Sequence, residues 1–339
     1  MSVTIKQIAA VAGLSVPTVS RILNNDTELF RPETREKVLK AARDLGYRPN
    51  SYRMALRTKR FNAIGLLLGT KQIDGIASGG VMRTLLAELH GRNQHLLVGE
   101  VPECQVEGTE AAPKMLREWS VDGMLMHCDE NPSHVVDQLI RDNKIPTVWF
   151  NSRRETDSVY PDDRDGARDA TERLIRLGHK NVAFVDLGGS PDAARVERRA
   201  GYEAAIQQGG AVTQLVTPGH AVPQADRLDY LSNWLRTHRE TSSTAALCAG
   251  RGEASALFTA AVSNGLSVPR DLSIIAIHDE PLDDPGQRIT TMVLPESEMA
   301  LQALAALAEK ITDPGRTAPS RALPLSYHEG ATLAPPGGV

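Results

Sequence analysis

Between residues 15 and 24 the side chains suited to recognition fall on one stripe of a short helix, with Pro17, Ser20, Arg21 and Asn24 opposite Val19, Ile22 and Leu23. An arginine there can donate in bidentate fashion to a guanine edge or singly to a phosphate, and this is the stripe that a major groove would meet. The chemistry is therefore recognition, because the residue sets for bond breaking are missing. There is no Gly-x-Ser-x-Gly elbow, no phosphate loop ending in Gly-Lys-Ser/Thr and no His-Glu-x-x-His run. Gly250-Arg251-Gly252 is only a fragment of a dinucleotide motif. His278-Asp279 could form an acid/base pair but has no nucleophile in a recognisable setting, and His179 in Leu-Gly-His-Lys-Asn marks a helix-to-strand turn. No enzyme activity, cofactor or metal is expected.

The elements that must position the stripe are legible one by one. Thr4 as N-cap with Gln7 three residues later has capping-box spacing, and Ile5, Ile8, Ala9 and Ala12 form the buried face of a first helix. Gly13 supplies a left-handed stop, and Leu14 tucks back into the same small core. Ser15 caps the second helix, and Pro17 lies in its first turn, where a missing N–H costs nothing. A third helix starts at Pro32, carries Val38, Ala41, Ala42 and Leu45 inward and stops at Gly46. Two capped helices joined by a glycine turn are a helix-turn-helix. Residues 1–60 hold twelve Lys or Arg against five Asp or Glu, whereas the rest of the chain is acidic and the whole is −4. A basic head on an acidic body suits approach to phosphates by the head alone.

The runs TIKQIAAVAGLSVPTVSRILN and RPETREKVLKAARDLGYRPN, followed by a short hinge containing Leu56, resemble the amino-terminal domain of the LacI family of transcriptional regulators. The resemblance implies double-stranded operator DNA as partner. Its candidate contacts are Thr4, Ser15, Val16, Pro17, Thr18, Ser20, Arg21 and Asn24, with Asn50 and Leu56 from a hinge helix over residues 50–57. Leu56 would wedge into the minor groove, although Arg53-Met54-Ala55-Leu56 departs from the family's Ala-Arg-x-Leu, and Arg31 stands where a capping serine is common.

Beyond residue 61 short apolar runs alternate with helical stretches, as parallel α/β sheets require. Strands are expected at 63–68, 96–98, 123–126, 147–150, 182–187, 245–249 and 273–277, and helices at 81–89, 167–177, 199–208 and 298–311. So many units exceed one sheet, so two lobes are expected. VDGMLM, IPTVWFN, DDRDGARDATERLIRLGHKNVAFV, RRAGYEAA, GLSVPRDLSIIAIHDEP and TTMVLP resemble landmarks of the same family. That implies a small all-α helix-turn-helix domain followed by a two-lobed α/β core of the periplasmic-binding-protein type I kind, with parallel sheets and an effector in the cleft. By similarity the parts are a head at 1–48, a hinge at 49–60, a core at 61–335 and a tail at 336–339. Lobe 1 takes 61–163 plus 295–324, and lobe 2 takes 164–294 plus 325–335.

The resemblance also places an effector site, which departs from the family's hydroxyl clamp. Arg198 matches the arginine before a Gly-aromatic pair. Ala249-Gly250-Arg251 stands where Ala-Asn-Asp is usual, and Ile277-His278-Asp279 where an aromatic precedes two aspartates. Guanidinium in place of carboxylate suggests an anionic effector such as a sugar acid, held by Arg198, Arg251 and His278 beside Asp279. A neutral sugar bound differently, a non-sugar effector or none are the alternatives. No aromatic platform follows the first strand; Phe150 and Asn151 at a strand end could replace it.

Cys104, Cys128 and Cys248 are odd in number and widely spaced, which suggests free thiols in a reducing compartment. No run approaches 18 uninterrupted apolar residues, and the first apolar stretch is broken by Ser15, Pro17 and Ser20, so neither a membrane span nor a secretory signal is expected. A solute receptor sharing the core would need such a signal. A cytoplasmic homodimer is the expectation, without leucine heptads after Tyr327 to build a tetramer.

Overall fold

The computed structural model describes residues 3–24, 29–48, 55, 58–69, 79–101, 112–118, 120–127, 134–189, 192–237, 243–284 and 286–337. The chain divides into two compact units, Met1–Phe61 and Asn62–Val339. The first is built on α1 (Ile5–Ala12), α2 (Val16–Leu23) and α3 (Pro32–Asp44). Thr4 and Gln7 close the capping box in both directions: Gln7 N donates to Thr4 Oγ1 at 3.4 Å, and Thr4 N donates to Gln7 Oε1 at 2.8 Å. Gly13 has φ 62°, which turns the chain into the Ser15 cap of α2, whose hydroxyl accepts from Thr18 N. Ile8, Ala9 and Ala12 meet Val19 and Ile22 from α2 and Val38, Ala41 and Ala42 from α3, with Leu14 and Leu23 at the margin. Arg31 precedes α3 without a side-chain cap.

The second unit contains two sheets. The first has the order β12-β5-β4-β3-β1-β2 and is parallel throughout: β1 (Ala63–Gly69), β2 (His95–Val101), β3 (Gly123–His127), β4 (Thr147–Phe150), β5 (Ser158–Pro161) and β12 (Arg321–Leu323). β1 is buried along its whole length, as a central parallel strand covered on both faces must be. Its cover on one face is α4 (Gly80–Gly91) and α11 (Glu296–Thr312), which pack Leu85, Leu89, Ala303, Leu304 and Leu307 against Leu66, Leu125 and Val148. Shorter helices α5 (Lys114–Arg117) and α6 (His134–Asp142) complete this half.

The second sheet runs β10-β11-β9-β8-β6-β7, with β13 added antiparallel to β11: β6 (Asn181–Val185), β7 (Val212–Val216), β8 (Ala245–Cys248), β9 (Ser273–His278), β10 (Leu282–Asp284), β11 (Gln287–Val293) and β13 (Ser326–His328). It is flanked by α7 (Asp163–Arg176), α8 (Ala193–Gly209), α9 (Arg227–Thr237) and α10 (Arg251–Ser263). The chain passes between the sheets three times, after β5, after β11 and after β12.

The expected strands are present with ends shifted by a few residues, but β5, β7 and β10 to β13 were not anticipated. Most of these are three to five residues long, and β11 reads as polar because Thr290 and Thr291 occupy its buried centre. Their hydroxyls are satisfied, Thr291 donating to Ile289 O at 2.8 Å and Thr290 accepting from Gly330 N at 3.3 Å. His179 follows α7 at the expected turn and stitches the tail to the sheet. Nε2 donates to Ala334 O at 2.9 Å, and Nδ1 accepts from the Thr244 hydroxyl at 2.8 Å. Cys248 is buried on β8; Cys104 and Cys128 lie outside the described residues. Among the described residues no helix is long and apolar enough to cross a membrane, and no His/Cys/Asp/Glu group could hold a metal.

Helices α7 and α8 cross at Gly201, where an added Cβ would stand 2.0 Å from Arg164 O. The following residue, Tyr202, is fully buried and donates its hydroxyl to Val182 O at 2.7 Å. Gly201→Ala must force the helices apart and is expected to lower unfolding free energy by about 1–3 kcal/mol, read from the urea midpoint. An unchanged midpoint would contradict the crossing.

Candidate nucleic-acid interface and effector cleft

On the first unit, α2 turns its buried residues into the three-helix core and leaves Ser15, Val16, Pro17 and Arg21 exposed, with Thr18 and Ser20 half-buried. Thr18 and Ser15 share a hydroxyl hydrogen bond at 2.8 Å, and Thr4 is exposed at the start of α1. The set is a small polar surface around one cation, with Val16 available for apolar contact with a thymine methyl. Asn24 requires a correction. Its amide donates to Ser20 O at 2.5 Å and reaches Ser20 Oγ at 3.3 Å, so it caps the end of α2 and the side chain is engaged within its own helix. Asn50 and Leu56 lie outside the described residues.

In the second unit most candidate effector residues lie at the carboxyl ends of parallel strands, where open α/β sheets take ligands, whereas Arg198 lies within α8. Asn151 follows β4, Arg251 follows β8, and His278-Asp279 closes β9. A cavity of about 280 Å³ is bordered by Asn151, Arg153 and Tyr160 from the first sheet and its loops and by Asp163, Ala193 and Glu197 from α7 and α8; of the candidate effector residues it includes Asn151 alone. Arg153–Glu197 at 3.8 Å and Arg83–Glu280 at 3.2 Å join the two halves.

The structure changes the charge expected of this site. Arg198 Nε donates to Asp163 at 2.7 Å and Nη1 to Ala249 O at 2.6 Å, so it bridges α7, α8 and the end of β8. Burial lifts the Asp163 carboxyl above its ordinary value, against the pull of Arg198. His278 Nδ1 pairs with the Asp279 carboxylate. Burial pushes the Asp279 carboxyl up, but the hydrogen bond and charge of His278, with Arg251 adding to them, hold it below the usual carboxylate range. Glu296 accepts from Val81 N at 3.3 Å and is raised by burial and by Asp279. Two of the three groups proposed to bind an anion, Arg198 and His278, thus face a carboxylate of the protein. Arg251 itself is exposed at the start of α10.

The unusual Gly250-Arg251-Gly252 run has a local reason. Glu253, buried one residue on, receives Arg195 Nη1 at 3.0 Å and Arg227 Nη1 at 3.5 Å. Arg195 is also paired with Asp186 and Asp192. A Cβ at Gly252 would stand 2.3 Å from Arg227 Nη1, so the glycine makes room for the guanidinium. This network pins the ends of β6 and β8 to α8 and α9, and nothing in residue spacing announces it.

Phe150 also requires a correction: it is 1% exposed, within the core of the first sheet, and offers no platform to a ligand. It stacks instead on His127 at the end of β3, with centroids 4.7 Å apart and planes 13° from parallel. His127 Nε2 lies 2.9 Å from Asn151 Nδ2. Burial lowers the His127 pKa from 6.5 to about 4. A depressed histidine favours the fold fully above its unfolded pKa, and that contribution disappears as pH falls through the folded value. Wild type should therefore lose about 3 kcal/mol more than His127→Phe between pH 7 and pH 4. Parallel pH profiles of urea unfolding would exclude a buried neutral imidazole.

A helix-turn-helix unit and a two-sheet core with strand ends facing a cleft define a DNA-binding regulator with a periplasmic-binding-protein-like body. The sequence model of bacterial regulatory proteins of the lacI family matches residues 4–50, and that of a periplasmic binding protein-like domain matches residues 171–333. The chain is 29% identical over 324 residues to the HTH-type transcriptional repressor PurR of Vibrio campbellii, covering 91% of this chain and 92% of that one. It is 28% identical over 314 residues to the HTH-type transcriptional regulator GalS of Salmonella typhimurium, covering 88% and 87%. The crystal structure of the Lac repressor dimer bound to operator and the anti-inducer ONPF shares the fold at a TM-score of 0.80 and 20% identity, over 98% of this chain and 100% of that one. The chain carries a lacI-family head, is similar over about nine-tenths of its length to regulators of that type, and is a DNA-binding transcriptional regulator.

Proposed function

We propose that this chain acts in the cytoplasm as a homodimeric repressor that reads a pseudo-palindromic operator and responds to a small polyhydroxylated effector. The observation that carries the first part is the exposed Arg21 stripe on α2, held by two capped helices over a closed core. Two-fold pairing of such heads implies two half-sites. The dimeric, operator-bound Lac repressor supports that arrangement. For the effector, the cavity of about 280 Å³ bordered by Asn151, Asp163 and Glu197 supports a small ligand. The pairing of Arg198 with Asp163 and of His278 with Asp279 favours an uncharged sugar over a sugar acid. Binding changes operator affinity only by the difference in effector affinity between two arrangements of the lobes.

The test has two stages on the full chain. Selection from random duplex DNA should return a pseudo-palindrome, and neutral pentoses and hexoses should then shift its affinity more than the matching uronates do. Equal affinity for random duplexes would overturn the operator reading, and a response confined to uronates would overturn the neutral effector.

A further inference from the structure

We propose that His127 is a positioning residue that locks the Asn151 carboxamide with its oxygen toward the cavity, so that the effector presents a hydrogen-bond donor at this point. The class of ligand rests on the reading that this cavity takes the effector; the locking of Asn151 does not.

The contact between the two side chains is Asn151 Nδ2 to His127 Nε2, at 2.9 Å. A carboxamide nitrogen only donates, so with Nδ2 toward the ring Nε2 accepts, and a neutral imidazole then carries its proton on Nδ1, a buried atom with no hydrogen-bond partner among the described residues. His127 is 9% exposed and its ring is stacked on Phe150, which holds the plane of the imidazole. Its depressed pKa of about 4 keeps the imidazole neutral across the physiological range. Asn151 is fixed at its other end too. Its backbone sits at φ 56°, a region that asparagine tolerates better than most residues, and its N–H donates to Val159 O at 2.9 Å.

With one N–H of Nδ2 committed to the imidazole, the carboxamide keeps its second N–H and Oδ1, which engages no described residue. Asn151 borders the cavity. The protein therefore offers an acceptor there, matched by a hydroxyl, an amine or an amide N–H. The opposite orientation, amide outward, would need the proton on Nε2, so the tautomer of one histidine reports which face of Asn151 the effector meets.

The first measurement needs no ligand. Full-length protein labelled with ¹⁵N at histidine, with the His127 signals assigned through His127→Phe, should show a protonated Nδ1 and a bare Nε2 at pH 7 in long-range ¹H–¹⁵N spectra. Asn151→Asp, whose carboxylate only accepts, should move that proton to Nε2. The second measurement titrates wild type and variants with D-pentoses, D-hexoses and the matching uronates. His127→Gln, which again offers an acceptor to Nδ2, should keep sugar affinity within about threefold, whereas His127→Phe and Asn151→Leu should lose about tenfold or more. A wild-type Nε2–H tautomer, or unchanged sugar affinity in His127→Phe, overturns the proposal. If wild type binds no member of the panel, the effector reading fails, while the tautomer still decides the locking of Asn151.

Discussion

Arg198→Met is expected to lower the unfolding free energy by about 3–5 kcal/mol, because it strands a buried carboxylate. Asp163 is 7% exposed, and Arg198 is its cation at 2.7 Å. The same guanidinium donates to Ala249 O at 2.6 Å, so its loss also leaves a strand-end carbonyl unbonded beside the cleft. The pH dependence follows from the carboxyl. Burial already raises Asp163 in the intact protein, and removing Arg198 raises it further. A carboxyl raised in the folded state stabilises the fold fully below its unfolded pKa and loses that contribution as pH rises through the folded value. The deficit of Arg198→Met should therefore be largest near pH 7 and shrink toward pH 4. The double variant Arg198→Met/Asp163→Asn should recover part of it at pH 7. Urea unfolding of the three proteins at both pH values decides this, and a deficit independent of pH would show that Asp163 is not the group left unpaired.

Arg21→Ala should weaken binding to the selected operator by about 1–3 kcal/mol, roughly ten- to a hundredfold, with a smaller loss on random duplex DNA. Arg21 is exposed in the last turn of α2, on the side away from Val19 and Ile22. A guanidinium on a base edge loses discrimination when removed. One on a phosphate loses affinity uniformly and reduces the salt slope by about one. An equal loss on both duplexes would place Arg21 on the backbone and move base reading to its neighbours on α2.

The head was almost wholly legible because its determinants are local. Thr4 with Gln7, Gly13, and Ser15 with Pro17 each act within a few residues, and the apolar spacing closes the core without a distant partner. The sheets were legible where strands are continuous apolar runs, as in β1 and β8. They were not legible at β11, where the buried Thr290 hydroxyl is met by Gly330, 40 residues away. The effector cleft was the least readable part. Residue type alone suggested a positive site at Arg198, Arg251 and His278. Which carboxylate faces each cation is set by folding: Asp163 lies 35 residues from Arg198, and Glu253 lies 58 from Arg195. The same holds for His127, which ends an apolar run unremarkably and gains meaning only beside Phe150 and Asn151. Phe150 looked available at a strand end, but α11 and the first sheet bury it. Asn24 looked outward by helical phase, but the last turn of a helix has carbonyls to satisfy, and its amide satisfies one.

The central claim, a capped helix pair that reads DNA sequence, is tested most directly by titrating the full chain against the selected duplex and a scrambled duplex over a salt series. The predicted result is affinity for the selected site at least about a thousandfold tighter at physiological salt, with a steep loss of affinity as salt rises on both duplexes. Equal affinities on the two duplexes at every salt concentration would contradict it.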